Sequence, residues 1–278
     1  MAGLLIGALK APMAILVDSL SFVASAFFVF LIRRPEPPVE QPADNAGTKR
    51  PSIVVEVRQG LAFVLGNRSL RAIAVGTSSA NLFGSIGQGI LIVYLAGDGY
   101  LALPPEQIGL VFALGNVGAL VGALVANRLA RWFGLGPTII GSLFLGSFNL
   151  LLVALAPREL AIPFLIAAGL AGGLSLMIYN INQVSFRQAI CPPRMQGRMN
   201  ATMRFMVWGT MPIGSLIGGV LANVIGVHET IWVGAILGLI PAIFPLLSPV
   251  RTLREMPVPV GDDPVGDDID AGVAPAPA

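Results

Sequence analysis

The chemistry this chain could carry lies in a few polar side chains set within long apolar stretches. Asn180, Gln183 and Arg187 follow Leu176 at i+4, i+7 and i+11, a stripe down one face of a helix, and Tyr179, Asn182 and Phe186 form an adjacent stripe. Asn81 and Gln88 lie seven residues apart, while Asn116 and Asn149 stand singly. Amides so placed either line a water-filled path or bond one helix to the next. Asn81, Gln88, Tyr179, Asn180 and Gln183 are the candidates for a solute cavity, and for Asn116 and Asn149 helix contact is the preferred reading. Asp18 sits about 9 Å along its apolar run, counted from Pro12, where a carboxylate is costly unless it meets a cavity or a partner. It reads either as a proton or cation site or as a structural hydrogen-bonding group.

Enzyme constellations are missing from the sequence. There is no Gly-x-x-x-x-Gly-Lys-Ser/Thr loop and no His-Glu-x-x-His pair, and His228 stands beside Glu229 in a short connector. One Cys and one His exclude a disulfide framework and a Cys/His metal site. The expectation is therefore neither an enzyme nor a cofactor protein, with no metal.

The elements that must position these side chains follow from composition. With 55% hydrophobic and 12% charged residues and a mean hydropathy of +0.79, the chain lacks the polar surface of a soluble globule. Seven apolar runs, about 12–32, 72–95, 108–127, 138–156, 161–185, 205–225 and 229–247, approach the ~20 residues that cross a bilayer. They show no strand alternation, so the fold class is all-α: a polytopic helical membrane protein with about seven transmembrane helices. Residues 1–9 are apolar but too short to span.

The basic residues test this division. Of the 17 Lys and Arg, all but Lys10 and Arg158 fall on alternate connectors. Cytoplasmic loops retain Lys and Arg, so the chain is expected in the plasma membrane with its N-terminus outside and its C-terminus in the cytoplasm. This sorting also makes nucleic acid a poor partner. Arg128, Arg131, Arg187, Arg198 and Arg204 lie on that basic side, and Gly197, Arg198, Asn200, Thr202 and Arg204 form the most distinctive local cluster.

The organisation expected is an apolar helical part over 1–32, a linker over 33–69, a six-helix part over 70–248 and a disordered acidic tail over 249–278. Within the linker, Ser52 is a plausible N-cap for an amphipathic helix over 52–66, with Ile53, Val57, Leu61 and Val64 on one face. That helix lies either on the membrane surface or against the protein's own cytoplasmic side. Gly115, Gly118, Gly122 and Ala126, and Gly214, Gly218 and Ala222, mark faces where helices can approach closely.

Several segments resemble one group of transporters. The stretches LVDSLSFVASAFFVFLIRRPE (16–36), VRQGLAFVLGNRSLRAIA (57–74) and FRQAICPPRMQGRMNATMRFMVWGTMPIGSLIGGVLANVIG (186–226), with SPVRTLREMP (248–257), resemble the enterobactin and macrolide exporter group of the major facilitator superfamily. Residues 123–132 resemble an eroded copy of that superfamily's loop motif, with Asn127 in place of the carboxylate, followed by Arg128 and Arg131. The resemblance implies the last helix of a first half followed by a six-helix second half, with about five preceding helices outside this chain. It also implies alternating access, export of a small organic solute and protons as the coupling ion. Asn127, Arg128, Arg131, Arg187, Arg198 and Arg204 would then belong to the cytoplasmic gate, with the bilayer and the missing helices, or another chain, as partners. The alternative is a non-catalytic membrane subunit serving a separate ATPase.

Overall fold

A computed structural model describes residues 2–31 and 52–257. Among them, six helical segments are long and apolar enough to cross a membrane: Arg68–Ala96, Pro105–Phe133, Leu135–Ala154, Arg158–Ile190, Pro193–Ile225 and Val227–Leu246. A shorter apolar stretch, Ser19–Phe30, completes the set. It is the second part of helix α1, Ala2–Phe30, so residues 2–9 continue into the first apolar run instead of standing apart from it. The molecule is thus a polytopic helical membrane protein, and α1 rests against the bundle along the helix Pro105–Phe133.

Helix α2, Ile53–Gly66, begins at Ser52, whose hydroxyl accepts from the Val55 amide at 3.4 Å. Its packed face is Gly60 and Val64, with Glu56 half-buried. The expected apolar face is not the packed one: Val57 and Leu61 are exposed and Val64 is buried, while the side chain of Ile53 lies outside the described set. The reason is steric. A Cβ at Gly60 would meet the Arg198 carbonyl at 2.9 Å and the Thr202 hydroxyl, so the missing side chain sets how close α2 comes to the helix Pro193–Trp208.

Three spans are interrupted. Helix α3, Arg68–Gln88, gives way at Gly89 and Ile90 to α4, Leu91–Ala96. Helix α8, Pro193–Trp208, passes through Gly209 into α9, Thr210–Ile225, where Pro212 cannot donate to the Trp208 carbonyl. Helix α10, Val227–Leu237, unwinds through Gly238 and the 3-10 turn Ile240–Ala242 before α11, Ile243–Leu246. The remaining spans are the continuous helices α5, Pro105–Phe133, α6, Leu135–Ala154, and α7, Ala161–Ile190.

Several expected connectors are helical. Helix α5 continues to Phe133 and turns into α6 at the single residue Gly134, whose φ of 91° suits glycine. Arg128 and Arg131 therefore ride on the last turns of a helix, where its dipole favours cations. Arg187 likewise lies on α7, and Arg194, Arg198 and Arg204 on α8.

Glycine faces bring helices together as their spacing suggests. A Cβ at Gly118 would land on the main chain of Leu170, and one at Gly218 on the carbonyl of Ile86, so α5 lies on α7 and α9 on α3 at backbone distance. The first turn of α6 has no side-chain cap. The amides of Leu135 and Gly136 instead donate to the carbonyls of Arg254 and Leu253, at 3.2 and 2.9 Å.

Buried apolar residues form two cores, one at each end of the bundle. At the arginine-bearing end, Leu70, Ile73, Leu135, Ile139, Phe186, Met199 and Met203 pack together. At the His228 end the core comprises Tyr94, Leu95, Val153, Leu165, Ile231 and their neighbours. Between the two cores α3 carries Thr77, Asn81 and Ser85, α6 Ser147 and Asn149, and α7 Ser175, set among apolar residues and glycines.

Candidate functional site: a cavity between two apolar cores

Those intervening residues line a half-open cavity of about 800 Å³. Helix α3 contributes Thr77, Asn81, Gly84 and Gln88, one stripe at i, i+4, i+7 and i+11. Helix α6 contributes Ser147 and Asn149, α7 Ser175, Tyr179 and Asn180, and the α8–α9 junction Val207, Trp208 and Met211. Counted along α3 from Arg68, the lining spans depths of about 13–30 Å, the middle of a bilayer-length helix. Leu176, Trp208 and Met211 are exposed along one border of the cavity.

Hydrogen bonds show which polar groups are spent on structure. Asn81 Nδ2 donates to the Val207 carbonyl at 2.9 Å and Ser78 Oγ to the Met206 carbonyl at 3.1 Å, while Thr210 Oγ1 returns a bond to the Ser78 carbonyl at 3.1 Å. Together they fasten α3 to the α8–α9 break. Ser147 Oγ donates to the Gly238 carbonyl at 2.6 Å, satisfying the backbone where α10 unwinds. Gln88 Nε2 reaches Asn149 Oδ1 at 3.2 Å, and Asn149 Nδ2 donates to the Ala168 carbonyl at 2.8 Å, linking α3, α6 and α7. Tyr179 and Thr77 hydrogen-bond each other through their hydroxyls.

Of the residues singled out in the sequence, Asn81, Gln88, Tyr179 and Asn180 lie on the cavity wall. Gln183 lies off it, 4% exposed, with Oε1 lacking a partner, and one turn further on Arg187 Nε is also buried and unpartnered. Asp18 belongs to α1, and its side chain lies outside the described set. Asn127, Arg128 and Arg131 are exposed on α5.

Of the two remaining candidate arginines, Arg198 joins two helices and Arg204 packs within one. Arg198 donates to Glu56 Oε1 at 3.0 Å and to Gln59 Oε1 at 2.8 Å, tying α2 to α8. Arg204 stacks over Trp208, with its Cζ 5.2 Å from the ring centroid. It also borders a second hollow formed by Gly197, Asn200, Ala201 and Phe205, which meets the main cavity at Trp208.

Sequence reading missed Thr77, Ser147, Ser175 and Trp208, and preferred helix contact for Asn149, which bonds α3 and α7 and lines the cavity as well. The signal for Thr77 is present, since it extends the Asn81 and Gln88 stripe by one turn. Asn149 gives none, because its role depends on which residues of two other helices come opposite it.

Bilayer-length helices, three of them broken beside a mid-depth cavity lined by hydroxyls and amides, define a polytopic membrane protein of transporter design. A family comparison makes this specific: the model of the transmembrane secretion effector family, within the major facilitator superfamily, matches residues 1–263. The chain belongs to that family. Macrolide efflux protein A of Streptococcus pyogenes is 24% identical over 241 residues, covering 86% of this chain and 57% of the relative. The multidrug efflux pump Tap of Mycolicibacterium fortuitum is 24% identical over 194 residues, 67% of this chain and 46% of that protein. The 3-(3-hydroxy-phenyl)propionate transporter of Escherichia coli strain K12 is 32% identical over 165 residues, 58% of this chain and 38% of that protein. The chain thus spans about half the length of these curated relatives. No solved structure matches it.

Proposed function

We propose that this chain forms the cavity-bearing second half of a secondary active exporter that moves a small organic solute outward by alternating access, coupled to inward proton movement. The observation that carries the reading is the cavity itself: solute-sized, at mid-depth, with hydroxyls and amides set in a mostly apolar wall, between two apolar cores that can each close one side. The relatives named for efflux support the direction of transport.

In this reading the arginine-bearing end faces the cytoplasm, following the positive-inside rule. The open border at Leu176, Trp208 and Met211, and the hollow from Gly197 to Trp208, face the companion half. Arg204 there meets an acidic group of that half when the cytoplasmic side is shut. Alternating access needs two halves rocking about a shared site, so the 278-residue chain alone is expected to be inactive.

The test is flux in proteoliposomes under an imposed pH gradient. The chain alone should match empty vesicles, and activity should require co-reconstitution with the complementary helices of a longer homologue. Robust gradient-driven export by the chain alone would overturn the half-transporter reading.

A further inference from the structure

We propose that α2 is an interfacial helix: its exposed apolar stripe lies in the headgroup layer of the leaflet at the arginine-bearing end, and the arginines around it bind anionic lipid. The inference rests on the membrane fold and not on the transport reading.

Val54, Val57, Leu61 and Leu65 follow one another at i, i+3, i+7 and i+11, a stripe whose centre lies about a quarter-turn round from the Gly60 and Val64 face that packs on α8. All four are exposed, Val54 at 75% and Val57 at 57%. Arg58 borders the stripe and Arg68 and Arg71 follow it in sequence, all three exposed. Between Ser52 and Arg71 the acidic residue is Glu56, and it is bonded to Arg198. An apolar stripe edged by arginines fits a lipid surface that carries negative charge.

The depth of α2 agrees. From Phe205 to Ile225, α8 and α9 rise about 32 Å at ~1.5 Å per residue, which fills the ~30 Å hydrocarbon core. Arg198 and Thr202 then stand about 5–10 Å outside that core, at headgroup level, and these are the residues that Gly60 meets. The other end of α2 is fixed through Asn67. Its amide donates to the Phe63 carbonyl at 3.3 Å and closes α2, while its Oδ1 accepts from the Ser69 and Leu70 amides at 3.0 and 3.1 Å and opens the spanning helix α3. A helix tied to the bundle at this depth, with its stripe left uncovered by the bundle, meets lipid. The hollow turned towards the companion half lies on Gly197, Ala201 and Arg204, about a third of a turn round α8 from Arg198 and Thr202, so that half approaches α8 from a different side.

The experiment attaches a nitroxide to Val57→Cys, Leu61→Cys or Ala62→Cys in the whole chain, Cys191 being buried. Collisions with oxygen, which concentrates in lipid, are compared with collisions with a water-soluble nickel chelate. In nanodiscs of phosphatidylcholine with one-third phosphatidylglycerol, the labels replacing Val57 and Leu61 should meet oxygen and escape nickel. The label replacing Ala62, about a third of a turn away, should meet nickel. Nickel access at all three would put the stripe in water and overturn the proposal. Exclusion of both reagents from the first two would mean protein cover, from residues 32–51 or a second copy, and would overturn it as well. A change to such exclusion on co-reconstitution with complementary helices would give the stripe to the companion half instead. Replacing phosphatidylglycerol by phosphatidylcholine should speed hydrogen exchange over residues 53–66 about fivefold, as should Arg58→Gln with Arg68→Gln in the mixed bilayer. Exchange indifferent to the anionic lipid would overturn the assignment of the arginines.

Discussion

The indole Nε1 of Trp232 donates to Nε2 of His228 at 3.0 Å, and on the other side of the ring His228 Nδ1 lies 3.1 Å from the Tyr94 hydroxyl. An indole N–H can only donate, so Nε2 must be the bare nitrogen and Nδ1 must carry the proton. This chain has one histidine, so its imidazole nitrogen resonances are unambiguous. The expected nitrogen NMR spectrum at neutral pH shows a protonated Nδ1 and an unprotonated Nε2. Trp232→Phe keeps the ring packing and removes the donor, and should let the other tautomer appear. A wild-type spectrum dominated by protonated Nε2 would refute the bond.

The approach of α5 to α7 depends on Gly118 more than on any side-chain contact between them. A methyl group there would sit on the Leu170 backbone, whereas one at Gly109, on the same helix, meets nothing within 4 Å. Gly118→Ala is expected to cost about 1–3 kcal/mol or more through overpacking, and Gly109→Ala to be neutral or slightly stabilising. Thermal unfolding in detergent compares the two directly. Equal melting temperatures would mean that the helices are not in backbone contact.

For the attachment of α2 to α8, shape should outweigh charge. The Arg198 and Glu56 side chains are 31% and 41% exposed, and a pair that open to solvent contributes roughly 0–1 kcal/mol and is screened by salt. Glu56→Ala should therefore raise amide exchange in α2 only modestly, with the effect fading at high salt. Gly60→Val should release the helix at any ionic strength. Hydrogen exchange over residues 53–66 distinguishes the two.

Cys191 is 1% exposed in the core at the arginine-bearing end, and burial pushes its thiol up to about 11. At pH 8 it should hold about a hundredfold less reactive thiolate than a thiol of ordinary value. Since the folded state binds this proton more tightly than the unfolded chain, its contribution to stability is lost as pH rises from about 9 to 11. Maleimide should leave the folded protein unlabelled and label it on unfolding in SDS. Fast labelling of the folded chain would show the core to be open.

Clipping the broken helix is the task of Asn81. Asn81→Ala removes its bond to the Val207 carbonyl and should raise exchange around the break from 207 to 211, with a stability loss near the ~0.6 kcal/mol typical of bonds between membrane helices. Asn81→Ser should restore little, because the shorter side chain does not span the gap. An unaltered exchange profile in Asn81→Ala would free Asn81 for solute contact alone.

The sequence displayed the helices and much of the cavity wall because both depend on local spacing: apolar runs of bilayer length, and the 3.6-residue recurrence that sets Asn81 above Gln88 and Tyr179 beside Asn180. What it concealed came from contacts between distant segments. On α2 the apolar residues Val57 and Leu61 point outward while glycine supplies the packed surface, the reverse of what hydrophobic patterning suggests. Asn149 joins the cavity through partners 61 and 19 residues away, a separation that no periodicity encodes. The extent of α5 escaped because Arg128 and Arg131 resemble loop residues by composition, although a helix C-terminus suits them equally.

The bonds from the Leu135 and Gly136 amides to the carbonyls at 253 and 254 join the far end of the helical bundle to its middle. Mechanically the bundle is a closed ring, its last turn serving as the missing cap of its fourth-from-last span. Anything carried beyond residue 257, native tail or engineered tag, is consequently tethered beside the Gly134 turn. A force or a binding partner acting on that tail would be felt first at the start of α6.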